Sequence, residues 1–277
     1  MQNLFRALIA ALLLCQGGFS SPAFGFGLAV SPTTVEMSVK PAKPRRQSIR
    51  VANVNPGKSL RLSVGVADWS LDARSNLKLM QPGSLPRSAA GWLRFSPANL
   101  TLAPGESREI LVDISPPAKL PGAGDFRAAL LISTLLPPRD ERQQNSGIWS
   151  RQQVAALFYL TTGRAASEAR LESAYYTLAE NDTVILHLGF SNAGNSHARL
   201  EGRVNILNQA NKLALSKEFT GVVLNGQRGE FSIRIDPANL PGGNYRTELE
   251  MVNIHAPQSG GRAKVPVNIP LPGFHLQ

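Results

Sequence analysis

SREILVDISPPAKLPGAGDFRAALLI, residues 107–132, lines up with RGEFSIRIDPANLPGGNYRTELEMV, residues 228–252. Each stretch runs from a charged, strand-like segment through Pro and Leu-Pro-Gly to an aromatic-Arg pair that opens a second strand-like segment. Leu120-Pro121-Gly122 recurs as Leu240-Pro241-Gly242, 120 residues on. Upstream, SIRVANVNPGKSLRLSVGV (48–66) matches ILHLGFSNAGNSHARLEGRV (185–204), where Asn53 meets Asn192 at an offset of 139. The 19-residue difference between the offsets places extra chain in the first copy, around Asp68 to Ala98. Two copies are too few for a solenoid. Within each copy, polar and apolar residues alternate, as in Ser48-Ile49-Arg50-Val51-Ala52, and turn signals such as Asn55-Pro56-Gly57 separate the runs. About seven short strands per copy fit an all-β fold of two tandem immunoglobulin-like β-sandwich domains. The boundary falls in Gly163 to Arg170, giving domains at 26–165 and 170–277. Ala165 to Ala174 reads as a short helix or a linker.

Composition agrees with this division. At 277 residues, 43% hydrophobic and 17% charged, the chain can bury a core, and its 24 Gly and 20 Pro imply many turns. The aromatic-Arg pairs, Phe126-Arg127 and Tyr245-Arg246, place a ring in each core and a guanidinium on each surface. Trp69 and Trp92 read as core or sheet-edge residues. Twenty-nine Lys and Arg against 19 Asp and Glu give a net charge of +10. That charge is spread along the chain, so it reads as a solvated basic face without a nucleic-acid motif.

Residues 1–25 read as a secretory signal peptide. Arg6 precedes the apolar run Ala7 to Leu14, and small residues at Ala23 and Gly25 offer a cleavage site after Gly25, with Ala23 as the alternative. The run is too short to span a bilayer, which takes about 20 residues, and no later stretch approaches that length. Cys15, the single cysteine, lies in the leader and lacks the small preceding residue of a lipoprotein signal. The mature chain then has no cysteine and depends on packing and sheet hydrogen bonds in an oxidising compartment.

Sites for chemistry are missing. His187, His197, His255 and His275 make no i,i+4 ligand pair, so neither a metal nor a cofactor is expected. No nucleophile elbow, zinc-protease helix, phosphate loop or dinucleotide fingerprint occurs. Gly242-Gly243 and Gly260-Gly261 sit where β-turns are expected. The chain reads as a binding protein and not as an enzyme.

LAVSPTTVEM (28–37), SIRVANVNPG (48–57), VADW (66–69), LRFSPANLTLAPGESREILV (93–112) and ALFYLTTG (156–163) resemble the PapD-like periplasmic pilus chaperones, two-domain immunoglobulin-like proteins of Gram-negative bacteria. The resemblance covers most of residues 28–163 and is weaker beyond. It implies a periplasmic chaperone for fimbrial subunits that acts by donor-strand complementation. In that family a strand late in the first domain lends alternating apolar side chains to a subunit lacking its own last strand. An outer-membrane usher is a further implied partner. The counterpart here is the strand from Ile148, with Trp149, Arg151, Val154, Ala156, Phe158 and Leu160 as subunit-binding residues, behind the polar loop Pro137 to Gly147.

Two departures accompany the resemblance. The family anchors the subunit's terminal carboxylate with two basic residues, one on the first strand and one just before the Leu-aromatic-Tyr run. Here the first strand, Val30 to Met37, has no basic residue, and Ala156 stands before Leu157. Arg151, Arg45 and Arg46 are the candidate substitutes. Gly147, Trp149 and Arg151 likewise form no apolar ladder. The alternative function is a non-chaperone periplasmic or surface-associated scaffold whose basic face holds an acidic polymer or protein.

Overall fold

The computed structural model describes residues 23–25, 27–136, 150–180, 183–236, 240, 245–254 and 263–265. Among them the only helical element is a single 3-10 turn, Ala90–Trp92. Eleven strands build the first sandwich: β1 (Ala23–Gly25), β2 (Leu28–Ser31), β3 (Thr34–Ser38), β4 (Arg45–Asn53), β5 (Leu60–Leu71), β6 (Leu77–Met80), β7 (Leu93–Ser96), β8 (Asn99–Leu102), β9 (Ser107–Ile114), β10 (Gly124–Thr134) and β11 (Gln153–Thr162). One sheet has the order β1-β2-β4-β9-β7, and the other β3-β11-β10-β5-β6 with β8 also on β5. The second sandwich contains β12 (Ala169–Leu178), β13 (Val184–Asn192), β14 (Ala198–Asn208), β15 (Leu213–Val223), β16 (Arg228–Ile235), β17 (Tyr245–Asn253) and β18 (Ala263–Val265). Its sheets run β12-β13-β16 and β15-β14-β17-β18.

The sequence repeat is a repeat of pairing. β4 lies on β9 as β13 lies on β16, and β5 lies on β10 as β14 lies on β17. Each copy closes with a strand antiparallel to the second of these, β11 on β10 and β18 on β17. The extra chain of the first copy supplies β6, β7 and β8, where the second has β15 alone. At the tip of the β5–β6 hairpin, Asp72 accepts hydrogen bonds from the amides of Arg74 and Asn76. That tip docks on the edge of β16: the Glu230 amide donates to the Ala73 carbonyl and the Ser75 hydroxyl to the Glu230 carbonyl.

Alternation assigns the cores. Ile49 and Val51 of β4, Ile110, Val112 and Ile114 of β9, Phe126 to Ile132 of β10 at every second residue, and Phe158 and Leu160 of β11 fill the first sandwich. Val184, Leu186, Leu188 and Phe190 of β13 face Leu200, Val204 and Ile206 of β14 in the second. Each buried Leu, Ile or Phe of these sets contributes roughly 1.5–3 kcal/mol. A third cluster joins Ala67, Trp69, Ala129 and Tyr159 of the first sandwich to Leu224, just beyond β15. It explains why β10 is buried on both faces.

Two local expectations change. Residues 169–178 form a strand and not a helix or linker. Arg127 is only 6% exposed, so its guanidinium is not on the surface, whereas Phe126 and Tyr245 are core rings. The loop Pro137 to Gly147 and most of the expected leader lie outside the described residues, and Ala23–Gly25 pairs with β2.

Candidate strand-addition edge and the joint between the sandwiches

β11 has a neighbour along its whole length on one side only. β10 pairs with it from Gln153 to Thr162, whereas parallel β3 covers Leu157 to Thr161. The reason lies in the chain path: β2 ends at Ser31 in the opposite sheet, and β3 enters this one at Thr34. Among the described residues, no strand lies on the outer edge of Gln153 to Ala156. The Leu157 amide donates to the Thr33 carbonyl and the Val39 amide to the Thr161 carbonyl, both over 2.8 Å. Two-residue alternation therefore turns the Ala155 N–H and C=O to this same edge. Away from that edge, across β10, Val66, Ala67, Leu79 and Leu131 with Gln153 border a shallow, largely apolar groove on the side of β5 and β6.

The proposed subunit-binding residues divide by face. Ala156, Phe158 and Leu160 are fully buried in the core of the first sandwich, and Val154 packs against it. Arg151 is exposed, immediately before β11. Ile148 and Trp149 lie outside the described residues. Arg45 and Arg46 open β4 in the opposite sheet, and Arg46 holds Asp113 with two hydrogen bonds, 2.7 and 3.1 Å, on an exposed face. That contact draws the Asp113 carboxyl below its usual range, chiefly through the Arg46 hydrogen bond.

A polar cluster at the joint was not read from the sequence. Asp125, fully buried at the start of β10, accepts the His197 amide and Nδ1, both over 2.6 Å, and the Thr161 hydroxyl over 2.7 Å. His197 Nε2 is 3.6 Å from Glu36 Oε1 on β3, and Arg199 of β14 hydrogen-bonds Glu36 in turn. The His197 ring packs 4.2 Å from that of Tyr159 on β11. Beside this chain of charges, Arg127 Nη1 donates to Asn225 Oδ1 over 2.5 Å, and its guanidinium lies over Trp69. The Asp125 amide donates to the Asn195 carbonyl, and Gly124, at φ +103°, lies so close that any Cβ would collide with that carbonyl.

Burial alone would push Asp125 up and His197 down. The hydrogen bonds and charge they exchange prevail, leaving the Asp125 carboxyl below its ordinary value and the His197 imidazole above its own. Burial also drives the Tyr159 phenol far above the usual range and lowers the Arg127 guanidinium. Glu36 stands on the first long strand, where the resemblance implies a basic anchor, and already meets two basic groups from the second sandwich. These contacts fasten one sandwich to the other. With both ring nitrogens of His197 directed at carboxylates and the side chain buried, the cluster is not built as a nucleophile–base pair.

No protein-family model and no curated protein matches the chain. Among solved structures, it is similar to the chaperone–tip subunit pre-assembly complex of the archaic Csu pili of Acinetobacter baumannii, at 11% identity over 81% of this chain and 96% of the other, with a TM-score of 0.44. The Pseudomonas aeruginosa CupB2 chaperone is similar at 14% identity over 85% and 97%, TM-score 0.41. The class 5 fimbriae chaperone CfaA is similar at 13% identity over 88% and 100%, TM-score 0.42.

Proposed function

We propose that the protein is a periplasmic chaperone of secreted fimbrial subunits, exported by cleavage of residues 1–25, and that it donates the outer edge of β11 to a subunit's incomplete sandwich. The observation that carries this is the half-covered strand: Gln153 to Ala156 offer backbone groups on an edge that β3 leaves open. Such an edge is a template for β-augmentation. The residue-level resemblance over 28–163 supports the same conclusion. Contact would come from backbone pairing at Ala155 and from Ile148 and Trp149 upstream. Phe158 and Leu160 serve the protein's own core. Arg151, exposed two residues before β11, would be the cation for a subunit's acidic terminus.

Purifying the full chain from the periplasm of its own cells tests this. A small secreted β-rich subunit is expected in equal amount, and Ala155→Pro should reduce its recovery at least tenfold, because only an outward N–H is lost. Full recovery with Ala155→Pro would move the binding site elsewhere, and absence of any subunit would favour the scaffold alternative.

A further inference from the structure

We propose that the joint between the sandwiches is a proton-operated clamp, in which the imidazolium of His197, held between Asp125 and Glu36, fastens the second sandwich to the sheet carrying β3, β10 and β11. The proposal stands independently of strand donation.

The geometry is specific to a cation. Asp125 Oδ2 lies 2.6 Å from Nδ1 on one side of the ring, and Glu36 Oε1 lies 3.6 Å from Nε2 on the other. Neutral imidazole can still donate Nδ1–H to Asp125. Across the longer gap to Glu36, attraction depends on charge, and charge acts strongly because His197 is only 3% exposed. The groups facing this ring come from every neighbouring element. Asp125 of β10 is itself faced by Arg127 of the same strand and by Arg87 from the segment between β6 and the 3-10 turn; Glu36 lies on β3, Tyr159 on β11, and Arg199 on β14. The two acids outweigh burial and hold the imidazole above its ordinary value, while Asp125, held below its own, stays ionised throughout the neutral range.

The sign follows by linkage. A histidine with its folded-state value raised contributes stability fully below the unfolded value, about 6.5, and loses it as pH rises through the folded value. The clamp is closed in mild acid and loosens in alkali. Because Glu36 and Tyr159 are on β3 and β11, loosening reaches the strand pair that borders the open edge.

Spin labels at Lys119→Cys and Lys212→Cys, exposed positions on either sandwich, with Cys15→Ser, report the inter-sandwich distance in the full chain. The expected result is one narrow distribution at pH 5.5 that broadens by pH 9, with the pH dependence abolished by His197→Gln. Imidazole resonances titrated in the unsubstituted protein should place His197 above 6.5. A distance distribution unchanged across this range, a pH dependence that survives His197→Gln, or a His197 midpoint at or below the ordinary value would overturn the clamp.

Discussion

Asn53 and Asn192 show what a matched residue in a repeat can mean physically. Both are 1% exposed at the ends of equivalent strands. The Asn53 amide nitrogen donates to the carbonyls of Lys58, Leu102 and Ala103, and its oxygen accepts the Asn55 amide. Asn192 does the same for Ser196 and Val223, and accepts the amides of Glu168 and Gly194. Each side chain satisfies backbone groups that the turn has withdrawn from the ladder. Asn53→Ala or Asn192→Ala leaves buried carbonyls without donors, at about 1–3 kcal/mol per unpaired group. A fall in thermal midpoint of at least roughly 2–4 °C is expected for each, measurable by calorimetry; no change would mean that water or backbone movement replaces the amide. The repeat exposed these two positions in the sequence, but the joint residues gave no such signal. Asp125 and His197 are 72 residues apart, Glu36 and Arg199 163, and no local pattern links them. Arg127 and Arg246 share a local motif, yet only Arg127 is covered by Trp69 and Asn225.

At the scale of elements, the repeat was legible because equivalent strands keep the same alternation and the same turns. β12 was not, and its register shows why: the pairing with β13 shifts between Leu171 and Ser173. Its inward residues are Ala169 and Leu171 before the shift and Ala174 and Tyr176 after it. The phase of the period-2 pattern changes midway, which conceals a strand in a stretch of small and charged residues. β11 poses the converse problem. Its alternation identified a strand, but Ala156, Phe158 and Leu160, expected to bind a subunit, are buried in the protein's own core, and the pattern could not reveal where β3 begins, because that depends on the crossing at residues 32–33. The two faces of the backbone now separate by substitution. Val154 directs its amide to β10 and Ala155 directs its own outward, so Val154→Pro should remove a ladder bond and lower the thermal midpoint by several degrees, whereas Ala155→Pro should leave it within about one degree. Equal losses in the two variants would show that the outer edge is already paired.

Across the whole molecule, two cores meet through a third, and this arrangement decides how the chain should unfold. The sandwiches at 26–165 and 170–277 were inferred as separable units from the repeat, and the clusters around Phe126 and Phe190 do not share residues. Yet Trp69, fully buried and donating its indole N–H to the Ala128 carbonyl, packs edge-on to Tyr159 beneath Leu224 of the second sandwich. Removing that cover would expose aromatic surface and strip Arg127 of Asn225, so each sandwich stabilises the other and the intact chain should melt in one transition. Leu224→Asp tests this directly. It puts a carboxylate against Trp69 and Tyr159, where desolvation is costly, but touches neither main core. Calorimetry should then resolve two transitions, the first sandwich melting below the temperature of the intact protein, and protease should cut at Gly163 to Arg170 to release folded fragments. A single transition in the variant, merely displaced to lower temperature, would mean that the two sandwiches fold as one cooperative unit and that the inferred boundary divides nothing physical.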